Sequence, residues 1–293
     1  MIKPNIFLIG VQKAGTTSLY HYLRKHPNIF GPEIKDYNNS HPFFTDENYF
    51  RNNQKEFEKL FSENDSIQNV ITSEVEFIEH KEAMLRIKEY CPEAKIIVSL
   101  RNPVERLKSM YKYYNQIGSN PENLSFEDAL KLKPELYLKR SLYSEKIKNL
   151  YDVFDSHQIK IIYFEDIIGS NFDSVIEELY EFIGVEKKEN PFIHENKTRK
   201  VKYDFVDRIM KLGKDSKVRT FLVHKVIDRF FNANKRYELK SKIREWNLKD
   251  HSKGSNAQKN DLVPNSISKL IKEDTIALGE FLKADLVSFW NLK

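Results

Sequence analysis

Asn5-Ile6-Phe7-Leu8-Ile9-Gly10-Val11-Gln12-Lys13-Ala14-Gly15-Thr16-Thr17-Ser18-Leu19 is the stretch from which the fold of this chain is read. An apolar run leads into a turn bounded by two glycines and carrying one lysine. Three hydroxyl residues follow, and a helical pattern then begins at Leu19, Tyr20 and Leu23. Strand, loop and helix in that order aim backbone N–H groups and the positive end of a helix dipole at one point, where an anion is favoured. Gly10 and Gly15 let the chain turn and approach a ligand where a Cβ would obstruct it. The stretch therefore reads as a nucleotide-phosphate loop. It departs from the NTP-binding pattern G-x-x-x-x-G-K-[ST] at one decisive place. The glycine spacing is right, but Thr16 stands where the lysine belongs, and Lys13 lies inside the loop.

A second segment has the same strand-to-helix logic. Lys95 to Leu100 is short, apolar and β-branched, which predicts a strand. Arg101-Asn102-Pro103-Val104-Glu105-Arg106-Leu107-Lys108-Ser109-Met110-Tyr111 follows. Asn102 suits a helix cap and Pro103 its first turn. Ser109 then falls a little over two turns into the helix. The planar fork of Arg101 can give two hydrogen bonds to one phosphate, while Arg106 reads as structural.

The first segment closely resembles the 5′-phosphosulfate loop (Lys-x-Gly-Thr-Thr/Ser-x-Leu) of sulfotransferases that use 3′-phosphoadenosine 5′-phosphosulfate (PAPS). Arg101 to Tyr111 matches the same family's Arg-[Asp/Asn]-Pro-x-x-Arg-x-x-Ser-x-[Tyr/Phe] pattern at every fixed position. Weaker likenesses follow in the family's order: Ser141-Leu142-Tyr143, Ile161-Ile162-Tyr163-Phe164-Glu165-Asp166, the basic Asn196-Lys197-Thr198-Arg199-Lys200, and Ile267 to Leu282 with Trp290. The resemblance implies a P-loop-like α/β fold and PAPS as donor, with 3′-phosphoadenosine 5′-phosphate (PAP) as product. It places Lys13, Gly15, Thr16, Thr17 and Ser18 at the 5′ end of the nucleotide and Arg101 and Ser109 at its 3′-phosphate. Tyr143 would lie near the nucleotide, and Arg199 in a basic loop over the 3′-phosphate. Lys13 would meet the charge that grows on the departing phosphate, and no metal is required.

The base that takes the acceptor's proton is less defined. Glycan-modifying members carry a Glu in a Lys-Glu-x-x-Phe-Phe-like segment after the first helix. Here Asp36 follows Lys35, but the spacing to Phe43-Phe44 is stretched, so Glu33, His41 and Glu74 stay open beside Asp36. The resemblance leans toward a saccharide or glycoconjugate acceptor with a hydroxyl or amine nucleophile. Two other readings stand beside it: a P-loop kinase, and a catalytically silent nucleotide-binding or membrane-docking protein on the same fold.

Composition bounds these readings. A chain of 293 residues with 40% hydrophobic residues buries one large core. It has no apolar window of membrane-spanning length. A first strand close to Met1 leaves no room for a signal peptide, and the single cysteine, Cys91, suits a reducing compartment; the expectation is a cytoplasmic protein. No spacing of His or Cys suggests a metal site. Strands are expected near 5–9, 70–73, 95–100 and 159–163, and helices near 17–25, 78–91, 103–117, 125–132, 141–154 and 172–183. That alternation predicts a parallel sheet flanked by helices. The expected organisation is a single domain: a nucleotide-binding α/β core (1–196), a basic helical insertion with a mobile connection (197–265), and a C-terminal helix packing on the core (266–293). Residues 197–253 hold 18 Lys/Arg against 7 Asp/Glu, although the whole chain carries only +5. Val218, Phe221, Leu222, Val226, Ile227, Phe230 and Phe231 recur there at helical spacing. This predicts a helix packing an apolar stripe with a basic face outward. An anionic acceptor groove, or peripheral contact with an anionic polymer or the inner membrane face, is its functional reading. No nucleic-acid motif accompanies the charge.

Overall fold

The computed structural model describes residues 3–32, 43–61, 67–117, 124–187, 199–201, 248–250 and 262–292. Five strands, β1 (Ile6–Leu8), β2 (Ile29–Phe30), β3 (Asn69–Ser73), β4 (Lys95–Leu100) and β5 (Ile159–Tyr163), form one parallel sheet in the order β2-β3-β1-β4-β5. The chain leaves β1 on one side toward β3 and later returns to its other side as β4, so β1 stands at the topological switch point. In open α/β sheets, ligands bind outside the carboxyl ends of the strands at such a point.

Alternation along the strands builds two apolar layers. Ile6 and Leu8 of β1, with Ile97 of β4, face α1 (Thr16–Leu23) and α9 (Phe172–Ile183). Phe7 of β1, with Ile96 and Val98 of β4, faces α4 (Lys81–Tyr90) and α7 (Ser144–Val153). The strand residues named are fully buried. Phe43 and Phe44 also lie in the second layer; Phe43 stacks on Phe57 at 4.2 Å and Phe44 meets Phe7 edge-on at 5.7 Å. These rings anchor α2 (Glu47–Asn52) and α3 (Gln54–Lys59) beside the sheet.

Three more helices complete the connections: α5 (Pro103–Ile117), α6 (Phe126–Leu132) and α8 (Phe164–Ile168). The C-terminal pair, α10 (Asn265–Leu282) and α11 (Leu286–Phe289), sends Leu278, Leu286 and Trp290 into the second layer. The chain divides into two compact units, one of residues 1–112, 124–193 and 260–293, the other of 113–123 and 194–259. In the latter the described strands β6 (Arg199–Val201) and β7 (Leu248–Asp250) pair antiparallel. The apolar helical pattern at 218–231 and the polar connection up to residue 261 lie outside the described residues.

The expected parallel sheet with flanking helices is present, and its four anticipated strands are β1, β3, β4 and β5. The two-residue β2 was missed because so short a strand has no periodicity to read. The helix anticipated at 78–91 is a 3-10 turn (Phe77–Glu79) and then α4, with a break at His80 in extended conformation.

Candidate active site

The site grows from the carboxyl edge of the sheet. Beyond β1, ladder-like hydrogen bonds continue from Ile9 N–H to Ile97 O, from Val11 N–H to Ser99 O and from Ser99 N–H to Gly10 O. The loop then leaves the sheet through three residues of positive φ: Gly10 (151°), Lys13 (73°) and Gly15 (75°). Glycine is needed at the first and last for two reasons. Their φ values disfavour a side chain, and an added Cβ would lie 2.6 Å from Ile78 Cγ2 at Gly10 and 2.8 Å from Phe164 Cδ2 at Gly15. Gly15 is the N-cap of α1, whose first turn holds no acidic residue. Its leading N–H groups have no intrahelical acceptor. Thr16 and Ser18 are buried within this turn and Thr17 is half-exposed.

Lys13 is not a glycine, and tertiary contacts hold its unusual backbone. Arg101, at the end of β4, donates from Nη1 to the Lys13 carbonyl at 2.8 Å. This bond joins the two motifs that the sequence presents 88 residues apart. The Ala14 carbonyl accepts from the buried Ser99 hydroxyl at 2.7 Å. The Gln12 carbonyl accepts from Arg106 Nε at 3.2 Å, and the Gln12 side chain accepts from Arg140, which is itself doubly bonded to Glu76. Arg106 is wholly buried and also donates to the Tyr137 carbonyl and to Ser141 Oγ. It braces the loop from beneath, in keeping with its structural reading. Ser109 lies one turn further along α5 on the same face as Arg106 and is half-buried.

The electrostatics of this corner favour an anion. Burial, then the nearby Arg101 and Arg106 guanidinium groups, pull the Lys13 ammonium down to about 8. Burial likewise lowers the pKa of Arg101, against the opposing pull of Glu165. The Arg101 guanidinium lies 4.4 Å over the Phe164 ring, and its Nε is buried with no hydrogen-bond partner among the described residues. A phosphate placed here would satisfy that donor and relieve the crowding of positive charge, so the residues present fit the phosphates of a nucleotide.

The other residues singled out in the sequence fall as follows. Tyr143 is 1% exposed, and its hydroxyl donates to the Arg101 carbonyl at 3.0 Å. It stands behind Arg101 with its polar atom spent on the protein, rather than at the open edge. Glu74 follows β3 at the same sheet edge; its N–H donates to Leu8 O and its carboxylate accepts from Glu76 N–H. Asp36, Glu33 and His41 lie outside the described residues. The described residues on either side are Gly31 and Pro32, whose carbonyls accept from Arg24 Nε and Tyr20 Oη, and the buried Phe43. Arg199 begins β6 in the second unit, and its side chain is outside the described residues. Among the described residues, no group of His, Cys, Asp or Glu could hold a metal ion, and no helix is long and apolar enough to cross a membrane.

Sequence reasoning missed Phe164 and Glu165 as parts of this corner. A signal was available in the strand register: Leu100 pairs with Tyr163, so the next step sets Arg101 beside Phe164.

The "Sulfotransferase domain" family matches residues 3–251. A membrane-associated sulfotransferase of Dictyostelium discoideum is 34% identical over 133 residues, 42% of this chain and 26% of that protein. The human bifunctional heparan sulfate N-deacetylase/N-sulfotransferase 3 is 28% identical over 200 residues, 62% of this chain and 22% of that protein. The chain thus matches about a quarter of the length of these curated relatives. A sulfotransferase from Alicyclobacillus acidocaldarius shares the fold with a TM-score of 0.65 at 22% identity, over 99% of this chain and 100% of that one. With its family matched across most of its length, this chain belongs to the sulfotransferase domain family.

Proposed function

We propose that the chain transfers the sulfuryl group of PAPS to a hydroxyl or amine of a saccharide or glycoconjugate. The observation that carries this reading is the junction of Arg101 with the Lys13 carbonyl, which sets two cationic side chains and a helix N-terminus around one small volume. PAPS supplies the sulfur electrophile: its bond to the 5′-phosphate oxygen breaks as a bond from the acceptor oxygen or nitrogen to sulfur forms.

The protein's part is positioning and charge. Lys13 and the N–H groups that open α1 face the 5′-phosphate, where negative charge grows, and Thr16, Thr17 and Ser18 add hydroxyl donors. Arg101 and Ser109 hold the 3′-phosphate, for which Arg199 is a further candidate ligand, while Tyr143 acts on Arg101 from behind. The acceptor's proton passes to a carboxylate or imidazole from Asp36, Glu33, His41 or Glu74; Glu74, at the end of β3, is the described member of that set. Heparan sulfate is named for the enzymes this chain resembles, which supports a saccharide acceptor. The membrane-associated relative supports peripheral contact of the 197–253 basic segment with an anionic surface at the cytoplasmic face of the membrane.

Calorimetry with PAP, and with ATP and Mg²⁺, tests the donor. Metal-independent preference for PAP, lost in Arg101→Ala, is the expected result. Tighter Mg²⁺-dependent binding of ATP would return the chain to the kinase reading, and no binding of either would leave a silent scaffold.

A further inference from the structure

The geometry points to the C-terminal segment, α10 and α11 with Trp290, as the element that positions Arg101 for phosphate recognition; this rests on reading Arg101 as a ligand of the 3′-phosphate. The peptide group joining Arg101 to Asn102 is gripped from both sides. Its carbonyl accepts from Tyr143 Oη at 3.0 Å, and its N–H donates to Glu165 Oε1 at 2.9 Å. Each gripping residue is in turn held by the C-terminal segment. The Tyr143 N–H donates to Asp274 Oδ2 of α10 at 2.6 Å, and the Tyr143 ring meets Trp290 edge-on at 6.2 Å. The second oxygen of Glu165 accepts from Trp290 Nε1 at 3.2 Å. Asn102, whose Oδ1 caps α5, donates its amide to the Trp290 carbonyl at 2.8 Å.

Trp290 therefore touches all three residues that fix one peptide plane, and it is 4% exposed. The direction in which the Arg101 side chain leaves the backbone depends on that plane. Its guanidinium has little slack, since one nitrogen bonds the Lys13 carbonyl and its face stacks on Phe164. A fork displaced by a fraction of an ångström loses a bidentate phosphate contact while the loop around Lys13 stays intact. The segment lies beyond residues 3–251 of the family match, so that match assigns it no role.

The test compares calorimetric affinities for PAP and for AMP, which lacks the 3′-phosphate, in wild type, Trp290→Phe, Arg101→Ala and the double variant. Trp290→Phe keeps an aromatic ring and removes the indole N–H. It is expected to weaken PAP about tenfold, the worth of one buried charge-assisted hydrogen bond, and AMP less than twofold. In the Arg101→Ala background it should add nothing, the signature of two residues acting through one contact. Equal losses for both nucleotides, full additivity in the double variant, or unchanged PAP affinity would each overturn the positioning role. If Trp290→Phe does not fold by circular dichroism, Asp274→Asn reads the same outcomes from the Tyr143 side. Wild type without preference for PAP, or a preference that survives Arg101→Ala, would overturn the reading of Arg101 and this inference with it. A preference that Arg101→Ala abolishes and Trp290→Phe leaves untouched would overturn this inference alone.

Discussion

In the β1–α1 loop the residues that shape the backbone, Gly10, Lys13 and Gly15, lie within one short stretch of chain, whereas the β4–α5 turn is held by residues 42 to 188 positions away. The loop's glycines have conformations and close contacts that no other residue takes without strain. The turn has an ordinary sequence, Arg-Asn-Pro, and its shape comes from Tyr143, Glu165 and Trp290 packed around it. Locally encoded geometry breaks when a local residue changes. Geometry imposed from a distance shifts by degrees, and its failure appears first in ligand recognition.

The largest expected effect lies in the loop. Lys13→Ala should lower sulfuryl-transfer turnover about 10²- to 10³-fold, the usual cost of removing one preorganised donor to developing charge. Single-turnover assay with a saturating donor measures it, and a loss below tenfold would remove Lys13 from the chemistry.

Gly15→Ala comes next and tests the local encoding directly. The left-handed φ and a Cβ 2.8 Å from Phe164 together should cost about 2–3 kcal/mol of stability. Urea denaturation would show it as a lower midpoint at unchanged slope. Because the loop faces the 5′-phosphate that both nucleotides carry, and Phe164 also underlies Arg101, this variant should weaken both PAP and AMP, and PAP the more.

A smaller effect separates the two regions by pH. Lys13 titrates near 8 in the free protein because burial and two guanidinium groups disfavour its charge. A bound 5′-phosphate favours the charged form, so the complex has the higher pKa. PAP affinity should accordingly be flat below pH 8 and fall toward tenfold per pH unit above it, until the pKa of the complex is reached. Lys13→Arg, charged throughout, should flatten that slope. A wild-type affinity that holds constant to pH 9.5 would break the assignment.

The smallest effect belongs to the turn. Tyr143→Phe removes one hydroxyl from the Arg101 carbonyl and should weaken PAP by about 1 kcal/mol, with little change for AMP. Parallel loss for both nucleotides would mean that Tyr143 supports the whole core rather than Arg101.

Much of this was legible in the sequence because the informative residues follow local rules. β1, β4 and α5 were marked by apolar runs, the Asn102 cap and Pro103, and the loop by glycines at positions that need them. The segments that were misjudged lacked such marks. β2 is too short to show a period, and α8 begins directly on the last residue of β5. That the Tyr143 hydroxyl is spent on the Arg101 carbonyl was not legible either, because that contact depends on what packs behind the strand end.

By itself the sequence determined the glycine-bounded loop between β1 and α1, the cationic side chains at two strand ends and the alternation that makes a parallel sheet, since each follows from backbone conformation and hydrophobic period over a few residues. Only the tertiary structure decided that Arg101 reaches the Lys13 carbonyl, that Phe164 lies between Gly15 and the guanidinium, and that Trp290 governs a peptide 188 residues away. Those contacts depend on strand order and register, which bring distant strand ends together at one edge, and no local pattern in the chain carries that information.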